Sequence, residues 1–123
     1  MTFIRKILGR LGEDESVQFL KNSGYEILER NYQTRFGEVD VIAQDQGTIC
    51  FVEVKTRQSL QAGLGQEAVS KLKQKKMIRV AQEYIMRRNI KNIGLRFDVL
   101  ALQVKEGQRV SFELIKNAFE GGW

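Results

Sequence analysis

Residues 38–55 read EVDVIAQDQGTICFVEVK, two apolar runs around a short polar turn. Acids sit inside the runs, where a buried strand ordinarily carries none. With Gln46 and Gly47 at the tip, the stretch reads as a two-residue β-hairpin, Gly47 being free to take positive φ. That tip fixes the register. Val41 opposes Val52, Ile42 opposes Phe51 and Ala43 opposes Cys50; continued outward, Val39 meets Val54, Asp40 meets Glu53 and Glu38 meets Lys55. One face is then wholly apolar, and the other carries Ile42 and Phe51 near the turn and a polar cluster towards the open end. A slip of one residue would mix the two faces, so the apolar pattern selects this pairing. Directly opposed side chains stand roughly 5 Å apart at Cβ, where like charges destabilise. Asp40 and Glu53 therefore call for a cation or a shared proton. Lys55 lies beside them, with Glu38 as its expected partner. The plainer alternative is an exposed sheet edge on which acids alternate outward, but Ile42 and Phe51 on the same face argue for a covered surface.

The other elements follow from periodicity. Glu13, Val17, Leu20 and Gly24 share one helical face, bracketed by Gly9, Gly12 and Gly24, with Gly24 placed as a C-terminal cap. YEILERNYQ reads as a strand, and EVDVIAQ and TICFVEV as two more. A second helix is expected from about Gln66 to Arg88, where Lys73, Met77, Val80 and Tyr84 form one stripe. LRFDVLALQV and RVSFELI pair across KEGQ, leaving NAFEGGW as a tail. The expected fold is α/β, a single domain over residues 1–123 in the order αβββαββ, with a mixed sheet flanked by helices.

Composition narrows the chemistry. The chain has no histidine and one cysteine, Cys50. This removes disulfides, histidine–cysteine zinc sites and histidine-activated nucleophiles. A metal would have to be held by carboxylates, carbonyls and water, a donor set suited to Mg²⁺ or Mn²⁺. Cys50 lies in an apolar run and is expected to be a packed thiol. The N-terminus lacks the apolar run of an export signal, so a cytoplasmic location is expected, with no membrane segment. Twenty Lys and Arg against fifteen Asp and Glu give a net charge of +5. Nine basic residues and three acids lie between Glu53 and Arg88, Lys73, Lys76 and Arg57 among the former. Such a segment attracts a polyanion, although a solvated helix face reads the same way.

The pattern of Asp40, Glu53 and Lys55 on adjacent strands, after a helix that carries Glu13, resembles the PD-(D/E)XK nuclease superfamily. It is similar to archaeal Holliday-junction resolvases. The match is closer to the YraN-like family of small bacterial endonuclease-like proteins, and extends over GRLGEDES, GYEILERNYQTRFGEVDVIA, FVEVKTR, QEAVSKLKQKK, RFDVLAL and NAF. The resemblance implies a restriction-endonuclease-like fold and a Mg²⁺- or Mn²⁺-dependent endodeoxyribonuclease that hydrolyses phosphodiester bonds, with structure-selective cleavage as in the resolvases. Asp40 and Glu53 match the metal ligands, with the Val54 carbonyl as a third. Lys55 matches the lysine that positions the attacking water or steadies phosphate charge, and Glu13 the first-helix glutamate that reaches the site. Val39 stands where the superfamily has its proline. Lys73, Lys76 and Arg57 are the expected phosphate contacts, Glu38 a supporting residue, and the loop TRQSLQAGLGQ a segment that moves over the substrate. By analogy with the resolvases the assembly would be a homodimer. Each residue has a plainer role as well: Glu13 facing a helix dipole, Lys73 laying its stem over apolar surface, Asp98 serving structure. The rival function is a non-catalytic nucleic-acid-binding module on the same fold; a third is an adaptor protein.

Overall fold

The computed structural model describes residues 2–57, 69–104 and 110–122. The expected mobile loop from residue 58 onward, the KEGQ turn and Trp123 lie outside these; Thr56 and Arg57 of that loop belong to β3. The order is α1 (Thr2–Asn22), β1 (Glu26–Thr34), β2 (Gly37–Asp45), β3 (Thr48–Arg57), α2 (Lys71–Arg87), β4 (Leu95–Val104) and β5 (Val110–Phe119). The five strands form one sheet in chain order. β3 and β4 are parallel and the other pairs antiparallel, because α2 carries the chain from β3 back to the start of β4. This mixed sheet with two helices is the αβββαββ, restriction-endonuclease-like arrangement.

Alternation along the strands splits the core into two layers. Ile42, Phe51, Phe97 and Val99 pack with Met77, Val80, Ala81 and Tyr84 of α2. Val41, Ala43, Cys50, Val52 and Leu100 face the other way, onto Val17 and Leu20 of α1. The inward stripe of α2 is the expected one. Ser70 caps its start, accepting the Lys73 N–H at 3.1 Å.

α1 begins well before the expected glycine brackets, at Thr2, so Gly9 and Gly12 lie inside it. Gly12 is there for closeness: a Cβ at this position would stand 2.9 Å from Leu102 Cδ2 of β4. Gly24 does cap the helix, at φ 95°. Its N–H donates to Lys21 O and that of Tyr25 to Leu20 O, the paired bonds of a Schellman ending.

β5 also runs past its expected end. Asn117, Ala118 and Phe119 belong to the strand, and Phe119 pairs with Phe97 across a bulge. Asp98 holds that bulge. Its fully buried carboxylate accepts from the Asn117 N–H at 2.9 Å, Tyr25 Oη at 2.7 Å and Arg96 Nε at 2.8 Å. Asp98 is therefore structural, as expected. So is Cys50, whose buried thiol is pushed up to about 12 by desolvation.

Candidate active site

The β2–β3 hairpin has the expected tip and register. Gln46 and Gly47 both take positive φ, and Val41–Val52, Ile42–Phe51, Ala43–Cys50 and Asp45–Thr48 are opposed. The paired ladder stops at Val41–Val52. Beyond it the Val54 N–H donates to Asp40 Oδ2 at 2.8 Å, so a side chain takes the place of the β2 backbone as acceptor. Asp40 and Glu53 lie immediately beyond the last opposed pair.

The same place corrects the assignment of faces. Val39 does not continue the apolar face of Val41; it packs with Ile42, Phe51 and α2. The reason is visible on the neighbouring strand. β1 pairs Arg30 with Val41 and Tyr32 with Val39, and Asn31 between them adopts φ 51°. Regular strands keep residues i and i+2 on one face. Here Arg30 reaches Asp14 of α1, whereas Tyr32 meets Tyr84 of α2 edge-on. The left-handed residue resets the alternation, and Asp40 lies at the reset point.

Asp40 and Glu53 come together. The Glu53 carboxyl, 8% exposed, lies close enough to Asp40 for the two carboxylates to act on each other. Desolvation is the main reason its pKa rises from 4.5 to about 8; Asp40 adds to it, while Lys73 and Lys55 oppose it. Burial and the neighbouring Asp40 carboxylate thus favour the neutral form of the Glu53 carboxyl. Lys73 Nζ lies 3.7 Å from Glu53 and donates to the Glu38 carbonyl at 3.3 Å. The stripe position of Lys73 thus delivers its ammonium to the acids.

The remaining candidates surround this pair. Lys55, half-buried on β3 opposite Ala101, is close enough for its charge to act on Glu53. Glu38 offers the site its carbonyl, while its carboxylate is met by Gln33 Nε2 at 3.5 Å rather than by Lys55. Glu13, deep within α1, is too far from the helix start to serve the dipole. It lines a small crevice with Val17, Arg30, Asn31, Asp40, Val41 and Val54, and accepts from Asn31 Nδ2 at 3.4 Å. It borders Asp40 without joining the Asp40–Glu53 contact; among the described residues no three such side chains gather as a metal cluster. Lys76 is exposed, its stem against Gly37. The Arg57 backbone pairs with Gln103 at the end of β3.

Sequence reasoning missed the β1–β2 turn. Thr34 pairs with Gly37, and the Thr34 hydroxyl accepts the Phe36 N–H at 3.0 Å. The guanidiniums of Arg35 and Arg79 lie 4.9 and 4.2 Å from the Phe36 ring centre. The signal was available: Thr-Arg-Phe-Gly between two strand patterns is turn chemistry. No helix among the described residues is long and apolar enough to cross a membrane.

Comparison with known proteins finds a family described as "Uncharacterised protein family UPF0102", which matches residues 12–102. A UPF0102 protein of Caldicellulosiruptor saccharolyticus is 46% identical over 116 residues, covering 94% of this chain and 98% of the relative. One of Persephonella marina is 44% identical over 114 residues, covering 93% and 94%. One of Syntrophus aciditrophicus is 47% identical over 113 residues, covering 91% and 87%.

Proposed function

The chain belongs to the UPF0102 family, and for this member we propose a Mg²⁺- or Mn²⁺-dependent endodeoxyribonuclease that hydrolyses phosphodiester bonds at the Asp40–Glu53 pair. The observation that carries the reading is the buried Glu53 carboxyl beside Asp40, with the Lys73 ammonium 3.7 Å away. A divalent ion in place of the Glu53 proton would relieve the repulsion between the two carboxylates. The donors fit a hard ion: two carboxylates, with water, backbone carbonyl and substrate phosphate oxygens completing the shell. Such an ion, when bound, masks phosphate charge and makes hydroxide available at neutral pH.

The chain's own residues do the rest. Asp40 is fixed by the Val54 N–H, so its second oxygen is aimed without freedom to swing away. Lys73, tethered to the Glu38 carbonyl, offers positive charge to a phosphate oxygen approaching Glu53. Lys55, two residues after Glu53 and so on the same side of β3, steadies charge that develops on the phosphate or orients the attacking water. Glu13, across the crevice from Asp40, reaches the site through water.

Nicking of supercoiled plasmid and of branched duplexes in Mn²⁺ tests the proposal. Asp40→Asn and Lys55→Ala should each abolish cleavage while the melting temperature and circular dichroism stay those of a folded protein. Equal cleavage by wild type and both variants would mean a contaminating nuclease and refute it. The competing reading, a binding module without turnover, is favoured by the Lys73–Glu53 ion pair, which already supplies the acids with a cation. It predicts salt-sensitive DNA binding, unmoved by Asp40→Asn, with no cleavage in Mn²⁺.

A further inference from the structure

A second feature lies along α2, away from the carboxylates. Lys76, Arg79, Glu83 and Arg87 fall at i, i+3, i+7 and i+11, one face of the helix. That face runs beside the β1–β2 turn: Lys76 against Gly37, Arg79 over the Phe36 ring, and Glu83 with Arg87 facing Gln33, Thr34 and Arg35 across a cleft of about 280 Å³. Such a cleft admits far more than one or two waters. Among the described residues that line it the one acid is Glu83, whose Oε1 pairs with Arg87 at 2.7 Å while its Oε2 is buried without a hydrogen-bond partner. Arg35 and Arg79 have no acidic partner among the described residues.

Two like-charged guanidiniums held against one ring repel each other. A guanidinium stacked on a ring still presents its N–H edge, in a fork that matches phosphate oxygens. The turn itself is braced, with the Thr34 hydroxyl accepting from Phe36 and donating to the Gly37 carbonyl, so Arg35 and Phe36 are presented on a fixed frame. Arg79 lies six residues beyond Lys73, about 9 Å along the axis at 1.5 Å per residue. That is two to three base steps of a strand at roughly 3.4 Å each.

We propose that Arg35 and Arg79, braced on Phe36, form a phosphate clamp that holds the backbone of the DNA two to three nucleotides from the Asp40–Glu53 pair, with α2 as its track. The clamp deepens the nuclease reading and rests on it for the identity of the polyanion, but it is a binding site and does not require turnover.

Fluorescence anisotropy of a labelled DNA duplex, in EDTA so that no cleavage occurs, tests it over a range of salt. Replacing both arginines (Arg35→Ala with Arg79→Ala) should weaken binding on the order of tenfold at moderate salt. The slope of log affinity against log salt should become shallower by about 2, since each lost phosphate contact removes about 0.9. Phe36→Ala should weaken binding while keeping most of the slope, because it frees the guanidiniums without removing charge. If the double variant does not fold, the single variants decide, each flattening the slope by about 1. A double variant, or folded single variants, with wild-type affinity and slope would overturn the clamp, as would wild type failing to bind DNA at low salt. The two readings fail separately. Wild-type cleavage with an unchanged slope in the arginine variants sinks the clamp alone; a flattened slope in a protein that never cleaves sinks the nuclease and leaves the clamp.

Discussion

Replacing Glu53 by glutamine probes the carboxylate pair through stability rather than activity. Without metal, folded Glu53 holds its proton to about pH 8, whereas the unfolded chain releases it near 4.5. Between those values the folded state binds one more proton than the unfolded state, so stability must fall as pH rises, by up to about 1.4 kcal/mol per pH unit. From pH 5 to pH 8 the loss is about 3 kcal/mol, on the order of 10 °C in melting temperature for a domain of this size. It levels off above pH 8, where both states are ionised. Asp45, whose carboxyl is held below the usual carboxylate range mainly by Arg96, titrates beneath this window and does not confuse it. Glu53→Gln keeps a donor towards Asp40 and cannot ionise. Urea denaturation at a series of pH values in EDTA should give a falling curve for wild type and a nearly flat one for the variant. Saturating Mn²⁺ should flatten the wild-type curve too. Identical slopes in wild type and variant would show that Glu53 is an ordinary solvated acid and refute the reasoning.

Lys73→Met removes one of the two charges that hold the Glu53 pKa down, so NMR titration of the Glu53 carboxyl carbon should show its midpoint moving above that of wild type; an unmoved midpoint would mean that the ion pair is incidental. Asp98→Ala leaves Arg96 with Asp45 as its one acidic partner, beside the Tyr25 hydroxyl, and strips the β5 bulge of its acceptor. It should cost about 3–5 kcal/mol in denaturant unfolding, and a loss below about 1 kcal/mol would deny Asp98 its structural role.

Much of the fold was legible because two local signals agreed. The Gln46–Gly47 tip and the alternation on either side of it demanded one register, and the Met77–Val80–Tyr84 stripe demanded one helix face with Lys73 at its end. Those two elements alone bring Asp40, Glu53 and Lys73 together. What could not be read was non-local or rested on a single dihedral. Nothing in ERNYQ announces that Asn31 turns left-handed, so Val39 was given the wrong face. Asn117 hides the same device in β5, where Asp98 bonds the bulge and carries the strand on to Phe119. Gly12 looked like a helix boundary because its purpose, close approach to Leu102, exists only once β4 is in place. The Glu38–Lys55 pairing failed for a related reason: once the ladder ends at Val41–Val52, strict opposition no longer governs the residues beyond it.

The central claim is that the acids at 40 and 53 exchange the Glu53 proton for a metal ion. Isothermal titration with Mn²⁺ at pH 7, repeated in buffers of different ionisation enthalpy, counts the protons released on binding. Wild type should release about one proton per ion and Glu53→Gln none. Wild type that binds Mn²⁺ without releasing protons, or does not bind it, would contradict the account.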